Sequence, residues 1–113
     1  MKLIQIEDVL EAEVAYAPVG SETISIHSVF ASDLMSDVLM SDREDMLIIT
    51  SLATEQSIRS AGIVDSEVVV VANNKRVSPG MVALAEELGI ALLCTRFPKF
   101  ESCLKVGRLM ERV

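Results

Sequence analysis

Two stretches limit the fold of this chain more than any other: Met46-Leu47-Ile48-Ile49-Thr50-Ser51 and Val68-Val69-Val70-Val71-Ala72-Asn73-Asn74. Both are continuous apolar runs rather than alternating ones, so each needs cover on two faces. Roughly 17 residues lie between them, forming a polar, helix-like run, the length of a strand–helix–strand crossover. In that run Thr54 is the expected cap, Ile58 and Ala61 pack, and Ala61-Gly62 ends the helix. A third apolar run is Ile90-Ala91-Leu92-Leu93-Cys94. It follows a helix that starts at Ser78-Pro79 and stops at Gly89, with Met81, Val82, Leu84, Ala85 and Leu88 on its buried face. Pro98 opens a last helix, predicted to pack through Phe100, Cys103, Leu104, Gly107 and Met110. Gly107 is expected there to allow close approach. From Met46 the order is thus β-α-β-α-β-α. Right-handed crossovers make that an α/β fold, a mostly parallel central sheet flanked by helices in three layers.

The N-terminal third adds smaller pieces. Residues 4–11 predict a short helix, and residues 13–17 a short strand cut by Pro18 and Gly20. Residues 23–29 alternate through Ile24 and Ile26, which predicts a half-exposed edge strand. Ser32 is the expected N-cap of the next helix, with Asp33 in its first turn complementing the helix dipole. Leu34, Met35, Val38 and Leu39 form the packing face of that helix. No internal repeat or linker interrupts residues 1–113, which read as a single domain.

Charge narrows the choice of partner. The formal net charge is -7, and Lys75-Arg76 and Arg108 are isolated. Such a surface repels nucleic-acid phosphates and anionic membranes, so neither is expected as a partner. No apolar run nears the ~20 residues that span a bilayer. The first fifteen residues carry Glu7, Asp8, Glu11 and Glu13, unlike a secretory leader, so a cytoplasmic location is expected. Cys94 and Cys103, nine positions apart, are expected as buried thiols. His27 is the single histidine and shows no evident carboxylate partner. Neither a metal site nor a cofactor is expected.

Open parallel sheets bind ligands at the carboxyl ends of their strands. Here those ends carry Thr50 and Ser51, Asn73 and Asn74, and Thr95 and Arg96, with Thr54 at a helix start close by. Backbone N–H groups at such ends suit an anion, and Arg96 is able to grip phosphate or carboxylate. These seven residues are the candidate ligand site. The same residue types are also ordinary caps and turn formers, so both readings stay open. No GxxxxGK(S/T) loop, GxGxxG turn or GxSxG elbow occurs, and no catalytic residue stands out.

The stretch Ser32-Asp33-Leu34-Met35-Ser36-Asp37-Val38-Leu39 and the stretch Glu86-Glu87-Leu88-Gly89-Ile90-Ala91-Leu92-Leu93-Cys94-Thr95, followed by Phe97-Pro98-Lys99-Phe100-Glu101-Ser102-Cys103, resemble the DRTGG domain family. Leu47-Ile48-Ile49-Thr50 and Val68-Val69-Val70-Val71 extend the resemblance over nearly the whole chain. Related domains accompany CBS domains in regulated pyrophosphatases and occur in phosphotransacetylases. The N-terminal domain of HPr kinase/phosphorylase is similar in fold. The resemblance implies a non-catalytic regulatory or ligand-sensing module acting as a homodimer, with a nucleotide or other small anion as ligand. An interaction partner that docks on a larger enzyme or redox complex is the alternative, and a phosphotransferase a third. The family motif places Asp-Arg after the first central strand and Gly-Gly after the second. Here Thr54-Glu55 and Asn73-Asn74 stand near those places.

Overall fold

Four consecutive valines, Val68 to Val71, have no solvent exposure, and the strand they form lies at the middle of a five-stranded sheet. The computed structural model describes residues 1–112. Its strands are β1 (Glu13–Tyr16), β2 (Ser28–Ala31), β3 (Met46–Thr50), β4 (Val68–Val71) and β5 (Ala91–Cys94). Its helices are α1 (Leu3–Leu10), α2 (Met35–Leu39), α3 (Glu55–Ile63), α4 (Pro79–Leu88) and α5 (Lys99–Arg112). The strand order is β1-β5-β4-β3-β2. Strands β2 to β5 are parallel, in a register that sets Ile48 beside Val69 and Val69 beside Leu92. Strand β1 runs antiparallel along β5, with Glu13 beside Cys94.

Alternation along the strands divides the core in two. Leu47, Ile49, Val68, Val70 and Leu93 pack on Leu3, Ile6 and Leu10 of α1 and on Val106 and Leu109 of α5. Met46, Ile48, Val69, Val71 and Leu92 pack on Val38 of α2, Ile58 and Ala61 of α3, and Met81 and Ala85 of α4. Each Val, Leu, Ile or Met side chain among them contributes about 1.5–3 kcal/mol by leaving water. The helix ends follow local chemistry. The Ser78 hydroxyl accepts from the Met81 N–H at 3.1 Å, and Gly89 closes α4 at φ 70°. Thr54 occupies the cap position of α3 without a side-chain bond, and α3 runs on through Gly62 to Ile63.

Four expectations need correction. The strand predicted over residues 23–29 is instead Ser28–Ala31. Residues 24–26 pair with the N-terminus: the Leu3 N–H donates to the Ile24 carbonyl at 3.2 Å, and the Ile26 N–H to the Met1 carbonyl at 2.7 Å. Their alternation therefore reflects α1 and the start of the chain, while β2 does lie at the sheet edge. Helix α2 starts at Met35, not after Ser32. The Ser32 hydroxyl accepts from the Leu34 N–H in a local turn, which leaves Asp33 outside the helix. Helix α5 buries Ser102, Val106 and Leu109, whereas Phe100 is 78% exposed. The ring that fills the core there is Phe97, and the Ser102 hydroxyl donates to the Phe97 carbonyl. Gly107 has no atom within 4 Å of where a side chain would start, among the described residues. Smaller departures concern single residues. His27 is exposed and pairs with Asp45 at 2.9 Å, and both cysteines are half-buried.

Candidate functional site

Because β2 to β5 are parallel, their carboxyl ends share one rim, and antiparallel β1 brings its first residue, Glu13, to the same place. Thr50 ends β3 and Ser51 follows it, Asn73 and Asn74 come after β4, and Thr95 and Arg96 after β5. The rim therefore gathers six of the seven predicted residues, but it divides them into two dissimilar halves.

At the β3 end, the Asp33 carboxylate collects four hydrogen bonds. Its Oδ1 accepts from the Thr50 hydroxyl at 3.1 Å and from the Ser51 N–H at 2.7 Å. Its Oδ2 accepts from the Ser51 hydroxyl and from Lys99 Nζ, both at 2.7 Å. Thr50 is fully buried, and its hydroxyl also accepts from the Leu52 N–H. Burial raises the Asp33 carboxyl. The bonds from Lys99, from the Ser51 backbone and hydroxyl and from Thr50 outweigh that and hold it well below the usual carboxylate range.

The β4–β5 half is open. A cleft of about 640 Å³ is lined by Glu11, Glu13, Lys75, Arg76, Thr95 and Arg96, among others. Asn73 and Asn74 both lie in the left-handed region, at φ 69° and 55°, which asparagine tolerates better than most residues. Their N–H groups donate to the Phe97 and Thr95 carbonyls, so neither backbone donor points at the cleft. Thr95 is buried. Its hydroxyl donates to the Leu10 carbonyl at 2.7 Å and accepts from the Phe97 N–H. Arg96 pairs with Glu11 at 2.9 Å and stacks 4.6 Å above the Phe97 ring. The hydrogen bond and charge of Arg96 lower the Glu11 carboxyl. Lys75 and Arg76 are exposed and make no ion pair among the described residues. Cys94 also borders the cleft, where burial and then Glu13 push its thiol up. Thr54 lies at the start of α3 and does not line this cleft.

Sequence reasoning missed Asp33 and Lys99, and it treated Lys75-Arg76 only as an isolated basic pair. The cue for Asp33 was available in principle. A strand ending at Ala31 and parallel to β3 delivers the residues after it to the same rim. Reading the strand two to five residues early hid that. Among the described residues, no three His, Cys, Asp or Glu side chains gather as a metal ion requires.

No protein-family model matches the sequence, and no curated protein does. Among solved structures, the chain is similar to the CBS and DRTGG domains of the regulatory region of Clostridium perfringens pyrophosphatase, determined in complex with its activator diadenosine tetraphosphate. The TM-score is 0.77 over 93% of this chain, at 16% identity. The chain spans 45% of that chain, less than half its length. At such identity the likeness is one of backbone architecture. Five strands, their order and the helices on both faces thus give this chain a DRTGG-like fold.

Proposed function

We propose that the chain is a non-catalytic regulatory module that senses a nucleotide or similar phosphate-bearing anion in the β4–β5 cleft, and that it works as a homodimer. The observation that carries this reading is the charge of the cleft. Lys75, Arg76 and Arg96 face it against two carboxylates, Glu11 and Glu13. An incoming phosphate takes Glu11's place on Arg96 and gains charge-assisted bonds from the two unpaired cations. The shared fold adds support, since the neighbour is a regulatory region crystallised with a dinucleotide. The cleft's own nucleophiles are poorly placed for turnover. The Thr95 hydroxyl is committed to Leu10, and the Cys94 thiol is pushed away from the reactive thiolate.

Thermal denaturation with adenine nucleotides tests the proposal. A ligand present at 100 times its Kd stabilises the native state by about 2.7 kcal/mol. The melting temperature should rise for the unaltered chain, and the rise should vanish for Arg96→Ala and for the double change Lys75→Ala with Arg76→Ala. A flat response at millimolar nucleotide overturns it. One observation favours docking on a larger protein instead. Ile63, Leu84 and Leu88 line an open groove of about 740 Å³ between α3 and α4. That reading predicts one stably co-purifying partner and indifference to nucleotides.

A further inference from the structure

We infer that Thr50, Ser51 and Lys99 form a second anion site, built for a phosphoryl group and kept shut by the chain's own Asp33. It lies at the β3 end, apart from the β4–β5 cleft, and does not depend on the cleft binding anything. Four donors meet there on two oxygens: the Thr50 hydroxyl, the Ser51 N–H, the Ser51 hydroxyl and Lys99 Nζ. Convergence of a backbone N–H, two hydroxyls and an ammonium is the donor set that phosphoryl oxygens require.

The donors and the acceptor stand on different footings. Thr50 is the last residue of β3, paired with Val71 and fully buried. Lys99 is the first residue of α5, a helix anchored in the core through Val106 and Leu109. Asp33 sits in the turn between β2 and α2, beside Leu34, which is 58% exposed. The cup is therefore held by the sheet and by α5, while its occupant hangs on a surface turn. Displacement needs rotation of one side chain and adjustment of that turn, since Met35 and Val38 keep α2 seated.

Asp33 competes as a tethered ligand, at an effective concentration set by the turn that holds it. A phosphate dianion offers more charge to Lys99 and more oxygens to the hydroxyls than a single carboxylate. Phosphate in excess thus exchanges with Asp33, whereas acetate, which only repeats the chemistry of Asp33, does not.

The test follows the Ser51 amide of the full chain by NMR during titration with inorganic phosphate, glycerol phosphate and acetate. In the unaltered chain the phosphates shift the amide weakly. In Asp33→Ala the shift saturates with an apparent Kd lower on the order of tenfold, and adding Lys99→Met removes it. Saturation by either phosphate supports the site, and the tighter of the two distinguishes a free anion from an ester. Should Asp33→Ala not fold, Asp33→Ser keeps a polar turn residue, is too short to reach Lys99, and gives the same readout. A Ser51 amide that ignores phosphate in the folded Asp33 variant overturns the inference, and so does acetate binding as well as phosphate. Lys75→Ala and Arg96→Ala leave this response unchanged, so it stands or falls separately from the cleft.

Discussion

Asp33 shows how much one side chain decides at the rim. Its carboxyl is held well below the usual range by the donors around it. On acidification the unfolded chain therefore takes up the proton first, near the ordinary aspartate pKa of about 3.9. The stability that Asp33 contributes is complete above that pH and drains away as pH falls further. Asp33 and Lys99 are both about two-fifths exposed, so solvent reduces the worth of the pair. Urea midpoints measured from pH 7 down to pH 2 should fall less steeply for Asp33→Asn than for the unaltered chain. Parallel curves would show that the bonds carry no net stability. The sequence located Thr50, Ser51, Thr95 and Arg96 at the strand ends, because strand ends follow from apolar runs. It did not disclose what each was bonded to. Those partners, Asp33, Leu10 and Glu11, arrive from distant parts of the chain, and no local pattern reports them.

Among the elements, β3, β4 and β5 were legible because a short continuous apolar run has few other uses. Helix α4 was legible from Ser78-Pro79 at one end and Gly89 at the other. Helix α5 was recognised but its packing stripe was misplaced, although Cys103 of the expected face does pack on the core. Periodicity fixes which residues share a stripe, and choosing the stripe by hydrophobicity favoured Phe100. The core instead took Phe97 from the preceding loop and left the small Ser102 facing inward. One consequence is measurable. Since Gly107 faces open space within α5, it confers no packing advantage and carries only the entropic cost of glycine. Gly107→Ala should raise stability by about 0.5–1 kcal/mol in urea denaturation. A loss would mean that the helix is approached closely there after all. Residues 24–26 mislead in a related way: their strand-like alternation is real, but it serves the bridge to Lys2.

At the level of the molecule, the sheet closes on neither side. Strand β2 ends it at one edge and β1 at the other, four residues each. Open edges invite pairing, and the homodimer is proposed on that basis. Light scattering should return about twice the 12.3 kDa chain mass, and a monomer at high concentration would remove the dimer. Among the described residues, no helix is long and apolar enough to cross a membrane. The pairing of β1 with β5 carries a consequence for how the protein is made. Helix α1 and strand β1 are made before the residues they bond to: Thr95 and Arg96 meet Leu10 and Glu11 from 85 positions downstream. Before β5 and α5 are made, Leu3, Ile6 and Leu10 have Leu47, Ile49, Val68 and Val70 to lie against but lack Leu93, Val106 and Leu109. A nascent chain stalled before residue 90 should therefore leave that helix half covered, docked on the middle strands but open to chaperones along the face that Val106 and Leu109 later seal.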